Sequence, residues 1–311
     1  MTAADDTSSA GPAATGPRRI PPGFRAAAAV VRPALNLLMG KRWEHMDRLP
    51  EGGFIVVANH VTEVDPLAVA HAVYSGGSTP HFLAKDSLFR LPVVGAALRG
   101  LKQIPVIRDR REAQKSLEVA REVIDEGGAI IIYPEGTLTR DPELWPMRAR
   151  TGAARLALTT GAPVVPIAHW GVQDFLAPYG KVPRVLPRAR YRLSVGHPVE
   201  LQDLRDGRVT RRSLAEATMR IEQALSDGVA ELRGEPAPEL IWDRALRCRV
   251  PRDQHLRQPG GGAASAGPGP DAAQEQHEAR EQDGAQEQDG ARSDLGTPTE
   301  NDTRQSGEQN S

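Results

Sequence analysis

The run IVVANHVTEVDP, residues 55–66, sets a histidine five positions before an aspartate, a pair able to move a proton. An imidazole can accept a proton from a weak acid. A carboxylate on its other nitrogen fixes the tautomer and steadies the imidazolium that forms. On a regular helix His60 and Asp65 would stand about 140° apart, so they meet only if the chain turns between them. A buried strand that delivers Asn59 and His60 to its carboxyl end, followed by a helix with Asp65 as N-cap and Pro66 at its first position, supplies that turn. Taken singly, His60 reads better as a satisfied structural histidine and Asp65 as a plain cap.

Three other strings end strands in the same way. AIIIYPEGTLTRD, residues 129–141, leads from a strand into a glycine-containing loop whose backbone N–H groups and Glu135 can approach a ligand. GLKQIPVIRD, residues 100–109, ends near Arg108, and APVVPIAHWG, residues 162–171, is a strand flanked by prolines. Together the four strand ends describe a cleft. No Gly-x-Ser-x-Gly elbow is present, and the single cysteine, Cys248, lies near the start of the tail, which speaks against an acyl-enzyme and an internal disulfide and fits a reducing compartment. Two readings compete with proton transfer at the His60–Asp65 pair: a metal-dependent hydrolase with His60, Glu63 and Asp65 as ligands and His71, His81 or His169 recruited, and a non-catalytic membrane-binding protein that keeps the fold without turnover.

The elements that must carry these residues follow from periodicity. Apolar β-rich runs at 53–58, 81–84, 103–107, 129–133 and 163–168 alternate with helical patterns at 110–126, 148–160 and 210–232, and a late strand at 191–195 falls near the sheet edge. This is the rhythm of one α/β domain, at 43–257, with a largely parallel central sheet flanked by helices. Residues 1–22 and 258–311 are too poor in apolar groups to pack and read as disordered.

The net charge of −1 conceals an asymmetry: from Gln258 on there are 11 acidic and 3 basic residues, leaving the rest of the chain at +7. A basic body suits phospholipid surfaces, phosphorylated substrates and coenzyme A. With aromatics at 4% and no arginine-rich helix or zinc spacing, nucleic acid is the weakest partner. The N-terminus, with Asp5 and Asp6, does not read as a secretory signal, and no run reaches the length of a spanning helix. FRAAAAVVRPALNLLM, residues 24–39, reads either as part of an interfacial segment at 23–42, with Arg25, Arg32, Lys41 and Arg42 at the headgroups, or as a packing helix.

Over roughly residues 35–200 the chain resembles the glycerophospholipid acyltransferases, specifically the 1-acyl-sn-glycerol-3-phosphate acyltransferases. Asn59, His60 and Asp65 match the family's Asn-His-x4-Asp motif, and residues 100–108 match a glycine-containing run ending in arginine. Tyr133, Pro134, Glu135, Gly136 and Thr137 match Phe-Pro-Glu-Gly-Thr, and Val165, Pro166 and Ile167 the Val-Pro-Ile strand. The resemblance implies direct acyl transfer from acyl-CoA or acyl carrier protein to a lysophospholipid, with His60 and Asp65 catalytic and no cofactor. It places Asn59, Lys85, Arg108, Glu135, Gly136, Thr137 and Arg140 at the substrates, and the protein peripherally or monotopically on an anionic membrane surface, at the cytoplasmic face of the cell membrane. Leu138 stands where the family commonly has arginine, which shifts any phosphate-holding role to Arg140, Arg108 or Lys85.

Overall fold

The computed structural model describes residues 20–106, 110–205 and 207–253. In chain order the elements are α1 (Pro22–Leu38), β1 (Met39–Glu44), β2 (Phe54–Ala58), α2 (Asp65–Ser75), β3 (Pro80–Lys85), α3 (Asp86–Phe89), α4 (Pro92–Gly100), β4 (Ile104–Val106), α5 (Arg110–Asp125), β5 (Ala129–Ile132), α6 (Gly152–Thr160), β6 (Val164–Trp170), β7 (Ala189–Val195), α7 (Arg211–Arg233), β8 (Leu240–Asp243) and β9 (Cys248–Pro251). Apart from residues 20–22, of which Pro22 is already the first residue of α1, the disordered ends expected at 1–22 and 258–311 lie outside the described residues.

Seven strands form one sheet in the order β1-β7-β6-β2-β5-β3-β4. Every neighbouring pair is parallel except β6 with β7. The central strands are continuous apolar runs because both faces of the sheet are covered. Along β2, Phe54, Val56 and Ala58 join a core with α2 and Leu35 of α1, while Ile55 and Val57 join a second core with α5, α6 and α7. At Gly53, just before β2, a Cβ would stand 1.9 Å from the Ile124 carbonyl oxygen, so only glycine admits the end of α5 against the strand.

Three expectations need correction. The segment expected to be helical over 23–42 stops at Leu38, because residues 39–44 pair with β7 as the edge strand, and Arg188 caps the end of α1 by donating to the Asn36 and Met39 carbonyls. The helix expected from residue 148 begins at Gly152. Its intended first N–H groups are already used: Arg148 donates to Trp242 O, Ala149 to Glu222 Oε1 and Arg150 to Pro134 O. Asp65 is the first residue of α2 rather than its cap, and its carboxylate turns back into the preceding loop. The small β8–β9 hairpin was not expected. The helix expected at 210–232 is α7, opened by a reciprocal capping box between Thr210 and Ser213.

Candidate active site

The parallel strands β2, β5, β3 and β4 present their carboxyl ends on one edge, and the residues singled out from sequence lie there or just beyond. Two residues past β2, His60 directs Nδ1 to Asp65 Oδ2 at 3.1 Å. Asp65 is fully buried and accepts three further hydrogen bonds, from Val61 N at 2.5 Å, Thr62 N at 2.7 Å and Thr62 Oγ1 at 2.9 Å. Burial opposes its ionisation. The neighbouring His169 and His60 rings and the hydrogen bonds from His60 and Thr62 outweigh burial and hold the carboxyl below its ordinary range. An ionised Asp65 can only accept, so the proton sits on His60 Nδ1 and Nε2 is left as the basic nitrogen.

A second imidazole lies close to the same carboxylate, with His169 Nε2 3.7 Å from Asp65 Oδ2, but its work is structural. His169 is fully buried and its Nε2 lies 2.7 Å from the Asn59 carbonyl oxygen. In return the Asn59 amide spans the His169 main chain, donating to O at 3.1 Å and accepting from N at 3.0 Å. Asn59, expected at the substrate, is therefore a clamp that extends the β2–β6 ladder past its last backbone pair.

The loop after β5 is bolted to the His60 turn. Glu135 Oε1 accepts the His60 N–H and Oε2 accepts the Met147 N–H, both at 3.1 Å. Thr139 N donates to His60 O at 2.7 Å. Glu135 is almost wholly buried, and burial pushes its carboxyl up to about 8, against the pull of those two N–H groups. Its place is thus beneath the turn and not on the open surface of the cleft. Gly136 holds φ at +75°, and a side chain there would meet the Arg150 guanidinium, which lies beside the loop. Thr137 is half-buried and Arg140 exposed in the same loop, and Leu138 is buried. Lys85 ends β3, and Arg108 lies outside the described residues.

Sequence reasoning missed Tyr133 as a site residue. Its ring stacks on His60 with centroids 4.1 Å apart and 25° between planes, and its hydroxyl is buried with no hydrogen-bond partner among the described residues. Burial, reinforced by the charge on Asp65, pushes that hydroxyl well above the ordinary tyrosine range. The available signal was its position as the last residue of the strand string. His60 and Tyr133 stand on the wall of an apolar cavity of about 480 Å³, walled by α1 (Phe24, Ala28, Val31), α2 (Leu67, Ala70) and β3 (Phe82, Ala84).

Among the described residues the ligands of the metal reading do not gather into one set: His169, though near Asp65, turns Nε2 to the Asn59 carbonyl. His60 and Asp65 are engaged with each other, Glu63 is exposed, His71 Nε2 faces Lys41 at 3.3 Å, and His81 Nδ1 lies 3.1 Å from Lys102 O. What the arrangement provides is an oriented base at the mouth of a hydrocarbon-sized hollow.

Residues 42–170 match the acyltransferase family model. The resemblance read from the motifs is borne out by curated relatives. One is a chloroplastic 1-acyl-sn-glycerol-3-phosphate acyltransferase of Brassica napus, 32% identical over 118 residues, which are 38% of this chain and 33% of the relative. Another is the 1-acyl-sn-glycerol-3-phosphate acyltransferase of Borreliella burgdorferi, 32% identical over 122 residues, 39% of this chain and 47% of the relative. This chain thus spans between a third and a half of the length of these two relatives. The fold is that of the crystal structure of the 1-acyl-sn-glycerophosphate acyltransferase PlsC from Thermotoga maritima: TM-score 0.53 at 24% identity, covering 69% of this chain and 81% of that one.

Proposed function

We propose that the protein transfers a fatty acyl group from a thioester, acyl-CoA or acyl carrier protein, to the free hydroxyl of 1-acyl-sn-glycerol-3-phosphate, giving phosphatidic acid. The observation that carries this reading is the His60–Asp65 pair at the wall of the apolar cavity. The cavity takes the hydrocarbon chain, so the thioester carbonyl comes to rest beside His60. His60 Nε2 removes the proton from the acceptor hydroxyl as the oxygen attacks that carbonyl carbon, and Asp65 stabilises the imidazolium through Nδ1–H. When the tetrahedral intermediate collapses, the C–S bond breaks and the imidazolium returns its proton to the departing thiolate. Tyr133, flat against His60, limits rotation of the imidazole and excludes water from one of its faces. Substrate phosphate is assigned, as the motifs imply, to the basic residues Arg108, Arg140 and Lys85.

Among the described residues no helix is long and apolar enough to cross a membrane. The enzyme is read as a peripheral or monotopic protein of the cytoplasmic membrane face. Thiol release from acyl-CoA in the presence of lysophosphatidic acid, with phosphatidic acid identified by mass spectrometry, tests the proposal. Thiol released equally without the acceptor marks a thioesterase and overturns it.

A further inference from the structure

The segment between the short helical turn ending at Asp174 and the start of β7 plays no part in the chemistry above. Every residue from Lys181 to Arg188 is exposed. Three of them are large and apolar: Val182 is 84% exposed, Leu186 81% and Val185 49%, with Tyr179 at 54% just before. Exposed apolar side chains scattered singly need no explanation, but four within eight residues do. The same stretch is strongly basic. Residues 175–199 contain Lys181, Arg184, Arg188, Arg190 and Arg192 and no aspartate or glutamate. Among the described residues Lys181, Arg184, Arg188 and Arg190 have no acidic partner.

The loop is held out by design of its surroundings. Phe175 and Leu176 at its base and Ala189 at its end are buried, and Arg184 N donates to Phe175 O at 2.6 Å, so the projecting residues cannot fold back onto the core. Pro183 and Pro187 stiffen it further. Two hydrogen bonds fix where it projects. Tyr179 Oη donates to the Leu138 carbonyl at 3.3 Å, within the loop that is bolted to His60, and Arg188 holds the last carbonyls of α1, the helix that walls the cavity. The loop therefore stands between the catalytic turn and α1, whose own Leu37 is 78% exposed.

We infer that residues 179–188 form a second membrane-contacting element, which seats Val182, Val185 and Leu186 among the acyl chains of an anionic phospholipid surface with Lys181, Arg184 and Arg190 at the headgroup phosphates. Apolar tips ringed by unpaired cations fit an anionic bilayer, which offers hydrocarbon and negative charge together. The inference rests on the membrane-surface acyltransferase reading in one respect: both substrates carry chains that reside in lipid, so the catalytic edge must face it.

Sedimentation of the full chain with vesicles of phosphatidylcholine and phosphatidylglycerol in equal parts, and with phosphatidylcholine alone, tests this. The variant V182S/V185S/L186S is expected to bind the mixed vesicles about tenfold or more weakly than wild type, with an unchanged melting temperature. The variant K181Q/R184Q is expected to lose much of the preference for phosphatidylglycerol. Wild-type binding by the triple variant overturns the inference and leaves α1 as the contact, and so does a wild-type chain that binds no vesicles. Thiol release with a dispersed short-chain acceptor is the control: its absence in wild type counts against the acyl-transfer reading, and its persistence in the triple variant shows that only docking has changed.

Discussion

On β2, Ile55 and Val57 point to one face of the sheet, where Leu156 of α6 and Ile221 and Leu225 of α7 close over them; Val56 and Ala58, alternating with these, point to the other face, toward α2. The helices on the α2 side leave a hollow of about 480 Å³, lined partly by alanines, and the base His60 opens onto it. A close-packed face cannot admit a ligand, and a hollow forfeits packing energy. The difference teaches a division: the α5–α7 side supplies stability, and the α1–α2 side, held in shape by the first, supplies the space in which chemistry occurs.

Substitutions on the two faces should therefore fail differently. The largest effect is expected from His60→Ala, which should lower kcat by about 10²- to 10⁴-fold while leaving the melting temperature nearly unchanged. A folded variant within a few fold of wild type would end the mechanism. On the opposite face Leu225→Ala should cost about 2–5 kcal/mol in denaturant unfolding, with turnover per folded molecule preserved. A loss of turnover without a loss of stability would break the division.

Glu135 joins the two concerns, because it is buried yet supports the His60 turn. Its carboxyl is raised in the folded state, so the native chain holds that proton more tightly than the unfolded chain. The stabilisation is complete at or below the ordinary value of 4.5 and is lost as pH rises toward about 8. Melting temperatures of wild type should therefore fall across this window relative to Glu135→Gln, which cannot titrate; parallel profiles would show that Glu135 is ionised throughout. The smallest effect is expected from Ala70→Phe, which fills part of the hollow. It should lower turnover with long acyl donors by about tenfold relative to short ones, at little cost in stability. Equal losses for both donor lengths would show that the chain lies elsewhere.

Much of this arrangement was legible in the residues. Strands β2, β5 and β6 announced themselves because strands buried on both faces are continuous apolar runs. The meeting of His60 with Asp65 followed from the impossibility of their meeting on a helix. What escaped detection depends on partners distant in sequence. Residues 39–44 carry no strand signal of their own and become β1 by pairing with β7. Residues 148–150 have a helical pattern but give their N–H groups to Trp242, Glu222 and Pro134. Asn59 looked like a ligand-facing amide until His169 occupied both of its ends. Leu38, which sequence alone places beside Leu37 as an equal candidate for lipid contact, packs against the core.

The pairing of β1 with β7 also sets an order of events. In the sheet β1 touches β7 alone, so the strand made early in synthesis has nothing to join until residues 189–195 have been made. Closing so long a loop is entropically slow compared with forming the neighbouring parallel pairs. During that interval α1 lacks the anchor that β1 and Arg188 give it, and the wall it contributes to the hollow beside His60 is not yet fixed. Among the described helices α1 comes first in sequence, yet its anchorage through β1 and Arg188 waits for residues 188–195, so the wall of the chamber beside His60 is fixed from a distant part of the chain.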